Sequence, residues 1–230
     1  MDRILCFETG GTKLVTAVAD RDGRLLRRQV EYRQQGQRAD RTVEQLCRMG
    51  HSILEGDRPL VVSWGFGGTV DRTGPRPADC FHEEGWQDMD AVQCLHREFQ
   101  APVLVENDCN LAALAEAMAV TTPASEDQTL LYVTVGTGIG GGFIRHLKIL
   151  ELSPLGEMEI GHMIVRPDGP PCGCGNRGCL ESLCSGPGLA ELNQRMTART
   201  QSTETLMQEF RAGEPVSSEV VELAAGYMGK

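Results

Sequence analysis

The chain has 230 residues, enough for one large domain or two small ones, and its 40% hydrophobic and 23% charged residues exclude a disordered, collagen-like or coiled-coil protein. Asp and Glu total 32 against 22 Lys and Arg, a formal charge of -10, which disfavours a nonspecific grip on nucleic acid or an anionic membrane. No apolar run approaches the ~18 residues a spanning helix needs, and Met1-Asp2-Arg3-Ile4 shows no signal-peptide pattern, so the reading is cytoplasmic, with no membrane and no nucleic-acid partner.

Ile4–Phe7 is a short apolar run, interrupted by Glu8-Thr9-Gly10-Gly11-Thr12-Lys13 before Leu14–Ala19 resumes, which predicts a hairpin with a glycine turn. A second turn at Asp20-Arg21-Asp22-Gly23 returns the chain as a third strand, Leu25–Tyr32. Val43, Leu46, Cys47, Ile53 and Leu54 repeat at helical spacing over Arg41–Leu54, and Leu60–Phe66 reads as a buried strand, so hairpins give way to a β-α-β crossover. Met89–Phe99 is predicted helical, Val103–Val105 a strand ending in Glu106-Asn107-Asp108, and Asn110–Val120 an Ala-rich helix. Asn107 and Asp108 thereby fall at the carboxyl end of a strand, where open α/β sheets bind ligands.

Thr121–Gln128, with Pro123 and no apolar period, reads as a linker. Leu130–Val135 then starts a second strand, followed by a glycine loop over Gly136–Gly142 and a strand at Phe143-Ile144, so the chain repeats its opening device. Two such units predict two lobes, residues 1–120 and 121–230, each presenting backbone N–H groups to a shared ligand. Gly188–Met196, Thr203–Phe210 and Ser217–Met228 are predicted helices.

Three constellations carry chemistry. Glycine loops let backbone N–H groups approach phosphate oxygens, and Thr12, Lys13 and Thr137 add hydroxyls and a cation, although tight turns without a ligand would look the same. Asp108 beside Asn107 can accept a proton from a hydroxyl that Asn107 orients, or the two can simply cap the following helix. Of nine cysteines, three lie in Cys172-x-Cys174-x4-Cys179 on a Gly/Pro-rich stretch, with His162 ten residues before the first. Four such ligands match a closed tetrahedral zinc site of structural type, against coincident free thiols.

With these constellations in this order, the sequence resembles the ROK family of sugar kinases and regulators, within the actin-like ATPase superfamily. The resemblance runs through Gly10–Lys13, Phe66-Gly67-Gly68-Thr69-Val70-Asp71, Gly85-Trp86, Glu106-Asn107-Asp108, Gly136–Gly142, Glu159-Ile160-Gly161-His162 and Cys172–Glu181. It implies a two-lobed α/β fold of actin-like ATPase (ribonuclease H-like) type with a zinc-binding loop. Residues 1–120 would be the N-terminal lobe with the first phosphate loop and catalytic Asp, and 121–230 a C-terminal lobe cut short at its end, leaving an open core near Val220–Met228.

By the same resemblance the activity would be ATP-dependent phosphorylation of a hexose, glucose first, as in a glucokinase, with Asp108 as general base. Gly67, Gly68, Asn107, Asp108, Glu159, His162 and Glu181 would bind the sugar. Glu8, Gly10, Gly11, Thr12, Lys13, Gly136, Thr137 and Gly138 would hold ATP with Mg2+, while His162, Cys172, Cys174 and Cys179 would hold structural Zn2+, and the protein would be a homodimer. Glu8 stands where the family usually has aspartate, Met158 replaces a glycine and Glu157 an alanine. The alternatives are a sugar-binding regulator lacking its DNA-binding segment, or a truncated, inactive homologue.

Overall fold

Two apolar runs and a more exposed return strand, separated by turns, build a three-stranded meander, β1 (Ile4–Thr9), β2 (Lys13–Ala19) and β3 (Leu25–Tyr32). The structure is a computed structural model that describes residues 2–34, 36–80, 83–120, 129–150 and 158–229. It divides into two compact units, Met1–Leu130 with Gly142–Glu157, and Leu131–Gly141 with Met158–Lys230.

In the first unit, α1 (Ala39–Leu54) leads to β4 (Val61–Phe66), and α2 (Ala91–Phe99) to β7 (Val103–Asn107). The five-stranded sheet runs β3-β2-β1-β4-β7, with β1, β4 and β7 parallel. Leu5, Phe7, Val62, Trp64 and Val105 are buried with Val43, Leu46 and Met49 of α1 and Leu95 and Phe99 of α2 in one core. Helix α2 starts two residues later than the apolar spacing suggests, because the Asp90 carboxylate accepts from the Gln93 N–H and caps it at 2.9 Å. A polar hairpin, β5 (Thr69–Asp71) and β6 (Arg76–Asp79), goes unannounced in the sequence, since a three-residue strand shows no period. Helix α3 (Asp108–Val120) begins two residues earlier than expected, with Asp108 its first residue.

Strands β8 (Thr129–Val135), β9 (Ile139–Arg145) and β10 (Lys148–Ile149) follow in the order β10-β9-β8. The glycine stretch is therefore a short turn, Gly136–Gly138, and not a loop to Gly142. Gly142 sits in β9, where a Cβ would come 2.5 Å from the Ala113 Cβ of α3. The linker expected at Thr121–Gln128 and the replacement at Glu157 lie outside the described residues.

The second unit continues through α4 (Leu180–Cys184), α5 (Gly186–Thr197), α6 (Thr203–Arg211) and α7 (Pro215–Met228). Ile139, Leu180, Leu183, Leu192 and Leu206 form its core. In place of the open core expected near Val220–Met228, Val220, Ala224 and Tyr227 are buried in that cluster, because α7 directs one apolar stripe inward against α4, α5 and α6, while Leu223 and Met228 of the same helix are exposed. Among the described residues no helix is long and apolar enough to cross a membrane.

Candidate active site

The first unit gathers its candidate residues by register. In the parallel ladder Thr9 lies opposite Phe66, and Phe66 opposite Asn107, so β1, β4 and β7 end level with one another. The segments that follow, Gly10–Thr12, Gly67-Gly68 and Asp108, leave the sheet side by side at its carboxyl edge. The Gly67 N–H donates to the Thr9 carbonyl at 2.9 Å. A Cβ on Gly67 would lie 2.6 Å from that carbonyl oxygen and 3.4 Å from Asp108 Oδ2, and one on Gly68 would lie 2.3 Å from the Asp79 carbonyl oxygen. Both positions thus exclude any side chain, and Gly67 brings bare backbone against the Asp108 carboxylate.

Asn107 and Asp108 divide the two roles that the sequence left open. Asn107 Oδ1 accepts from the Asn110 N–H at 3.1 Å, which caps α3, and its Nδ2 donates to the Gly68 carbonyl at 3.1 Å. One N–H and one lone pair of that side chain remain beyond these two bonds. Asp108 Oδ1 accepts from the Cys109 N–H at 2.8 Å. Burial pushes the Asp108 carboxyl above the usual carboxylate range and the charge of Glu8 adds to this, while the bonds from Cys109 pull partly back. A half-buried carboxylate raised in this way is a better proton acceptor than a solvated one.

Two charged networks brace this edge, and neither is legible from local sequence. Glu106, on β7, accepts from the Asn107 N–H at 2.8 Å and from Asn110 Nδ2 at 3.0 Å, and it takes both Nη groups of Arg72, which follows β5. Arg33, just after β3, pairs with Glu83 at 2.8 Å, with side chains 5% and 1% exposed. It also donates Nη1 to the Gly10 carbonyl at 3.0 Å. Thr42 donates its hydroxyl to Glu83 as well. Burial raises the Glu83 carboxyl despite these partners. Gly11, Thr12 and Lys13 form the exposed turn above, and the Thr12 carbonyl accepts from the Arg33 N–H at 3.1 Å. Glu8 is exposed on β1.

In the second unit, Gly136 and Thr137 are exposed at the turn, whose Gly136 N–H donates to the Gly138 carbonyl at 2.9 Å. Glu181, one residue into α4, reaches beneath it: its Oε2 accepts from the Ile139 N–H at 2.8 Å. Glu159 is half-exposed and precedes a short 3-10 turn, Ile160–His162. Its carboxyl is raised first by the surrounding protein and then by Glu181, with His162 opposing. Met158 bridges to Gly141 of β9, so the replaced glycine position lies in a strand-like contact.

The cysteine segment closes on itself. Leu180 N–H donates to the Met163 carbonyl at 2.9 Å, Val165 and Arg166 N–H groups to the Gly178 carbonyl, and Ile164 pairs with Cys179. Gly178 has φ of 69°, and a Cβ there would collide with the Arg166 carbonyl oxygen at 1.5 Å. The ligand atoms of His162, Cys172, Cys174 and Cys179 all lie within 4.8 Å of one another. Cys172 Sγ is 3.5 Å from His162 Nδ1 and Cys174 Sγ is 3.6 Å from Cys179 Sγ. With zinc–sulfur bonds of about 2.3 Å, a tetrahedral site has edges of about 3.8 Å, so the four atoms fit one ion with little movement. The second ring nitrogen of His162 faces Glu159 Oε2 at 3.7 Å, the orientation in which a carboxylate steadies a metal-bound imidazole.

The ROK family profile matches residues 4–230. A glucokinase of Halalkalibacterium halodurans is 39% identical over 109 residues, covering 47% of this chain and 32% of that protein. An N-acetylmannosamine kinase of Yersinia pestis is 32% identical over 192 residues, covering 82% of this chain and 63% of that protein. The matched region thus spans 32% to 63% of the length of these relatives. The crystal structure of a ROK family glucokinase from Streptomyces griseus, in complex with glucose and AMPPNP, superposes with a TM-score of 0.81 at 27% identity, over 99% of this chain and 77% of that one. The motifs, the strand-end geometry and the profile over nearly the whole length converge, and the chain belongs to the ROK family, with the α/β fold of its sugar kinases.

Proposed function

We propose that the protein transfers the γ-phosphoryl group of ATP to a hydroxyl of a hexose, with Asp108 as the general base. The observation that carries this reading is the Asp108 carboxylate at the level end of three parallel strands, raised by burial and faced by the bare backbone of Gly67. The hydroxyl oxygen attacks the γ-phosphorus, its proton passes to Asp108, and ADP leaves. Phosphoryl transfer asks mainly for positioning and charge stabilisation, which suits two exposed glycine turns.

Asn107 orients the neighbouring hydroxyls with the N–H and lone pair that its capping bonds leave over, and Gly67 and Gly68 keep the sugar side open. Glu159, His162 and Glu181 offer further hydrogen-bond partners to sugar hydroxyls. Glu8, Gly10–Lys13 and Gly136–Gly138 bind ATP with Mg2+, which neutralises charge on the phosphates. His162, Cys172, Cys174 and Cys179 hold a structural zinc ion, whose charge stabilises the thiolates. Glucose, the sugar of the Halalkalibacterium and Streptomyces glucokinases, leads the acceptors, with N-acetylmannosamine next.

The test is ADP release with glucose, mannose, fructose, N-acetylmannosamine and N-acetylglucosamine, each with Mg2+ and ATP. Sugar-dependent turnover that is lost in Asp108→Asn supports the reading. Turnover by none of these sugars, or the same rate in the variant, refutes it.

A further inference from the structure

Two residues within two positions of the proposed metal ligands close on a single backbone position, Ile139, which starts β9 directly after the second glycine turn. Glu181, two residues beyond Cys179, accepts the Ile139 N–H at 2.8 Å. Gly161, the residue before His162, lies on the other polar group: a Cβ there would be 2.1 Å from the Ile139 carbonyl oxygen, so only bare backbone fits. The carboxylate of Glu181 also fills the space beside Gly138, where a Cβ would come 2.5 Å from Oε2. The Ile139 side chain, 4% exposed, is anchored among Leu180, Leu183 and Ile160. On the far side of the turn the Gly136 carbonyl accepts the Gly186 N–H at 2.8 Å, from the start of α5.

We propose that the metal loop is a clamp on the second glycine turn: the ion, by joining His162 to Cys179, holds Gly161 and Glu181 against Ile139 and so fixes the backbone of Gly136–Gly138, with Glu181 as the positioning residue. The proposal rests on the metal site assigned above. Its physical basis is loop closure. Residues 163–178 separate the two jaws, and backbone bonds alone must otherwise bear the entropy of keeping their ends together. An ion bound at both ends removes that freedom, because metal binding and local folding are one equilibrium. The hydrogen bond to Ile139 is charge-assisted and partly buried, the class that contributes most. Phosphate binding by the turn thereby becomes dependent on metal even though the ion touches no phosphate.

The experiment is amide hydrogen exchange on the full chain, zinc-loaded and chelator-stripped, in wild type, Glu181→Ala and Glu181→Gln, with metal content measured for each. In zinc-loaded wild type the Ile139 amide exchanges at least tenfold more slowly than after stripping, in keeping with loss of one charge-assisted bond. Glu181→Ala keeps its zinc, since Glu181 is not a ligand, yet exchanges Ile139 as fast as the stripped protein. Glu181→Gln retains an acceptor oxygen and recovers most of the protection. Amides of β1 and α1 in the first unit report whether stripping unfolds the chain as a whole. If it does, the zinc-loaded Glu181→Ala comparison decides. Equal Ile139 exchange with and without metal in a folded chain, or wild-type exchange in zinc-loaded Glu181→Ala, overturns the clamp. None of these readouts needs turnover, so a chain that phosphorylates no sugar but shows metal-dependent Ile139 protection refutes the kinase reading alone.

Discussion

Arg33 and Glu83 lie 2.8 Å apart with both side chains almost wholly withdrawn from water, and the same guanidinium holds the Gly10 carbonyl. Removing one member of a buried ion pair strands the other charge, so Arg33→Met should cost about 3 kcal/mol in denaturant unfolding. Arg33→Met with Glu83→Leu should recover most of that loss, since no buried charge is left unpaired. The double variant still lacks the donor to Gly10, and its KM for ATP should stay raised while its stability returns. A double variant as unstable as the single one would show that shape, and not charge, governs this site.

The raised Asp108 carboxyl has a cost in stability with a defined pH sense. A carboxyl whose folded pKa lies above its unfolded value favours the folded state below the unfolded pKa, and that favour is lost as pH rises through the folded pKa. Asp108→Asn should therefore be more stable than wild type at neutral pH, with the gap closing on acidification, while sugar-dependent turnover falls by at least about a hundredfold. Unfolding curves at several pH values check the first statement. A gap that widens in acid would contradict it.

Glu8 adds its charge to the burial of Asp108, so Glu8→Gln should lower the pKa of the base. The acid limb of the kcat/KM profile would then shift to lower pH. A limb that stays in place would remove Asp108 as the titrating group of that limb.

The glycines separate steric need from ligand contact. Gly67→Ala and Gly68→Ala press a Cβ into carbonyl oxygens and should each cost about 1–3 kcal/mol. A Cβ on Gly136 meets nothing within 4 Å, and its φ is not in the left-handed range, so Gly136→Ala should leave the melting temperature unchanged. If the turn binds phosphate, the same change should raise KM for ATP. Unaltered ATP affinity in Gly136→Ala would place the phosphates elsewhere.

Cys174→Ser should reduce bound zinc well below the about one equivalent expected per chain, and cobalt substitution should show thiolate charge-transfer absorption in wild type that weakens in the variant. A wild-type chain that purifies without metal and gives no such band on cobalt addition would identify the four residues as free thiols and an ordinary histidine.

What could be read from the residues in order follows range of interaction. Strands β1, β2 and β4 are apolar runs bounded by turns, α1 repeats its apolar residues at helical spacing, and Cys172–Cys179 places three cysteines within eight positions, so each announces itself locally. The Arg33–Glu83 and Arg72–Glu106 pairs join residues 50 and 34 positions apart, and a single charged side chain carries no mark of its distant partner. Helix α4 is five residues long, too short for any period to show. Asn107 and Asp108 were ambiguous between capping and chemistry because the answer depends on which of two neighbours takes the first helical position, a matter of one residue in register.

The level ending of β1, β4 and β7 also sets where the chain can change length. Side chains alternate faces along a strand, so one residue inserted in β7 before Val105 would invert the strand and carry Asn107 to the opposite face of the sheet. Turns at Gly23 and Gly56, where nothing lies within 4 Å of a Cβ, carry no such parity and should absorb added residues. Added residues should thus be tolerated in these connections of the chain and not in the interval from Val103 to Asp108.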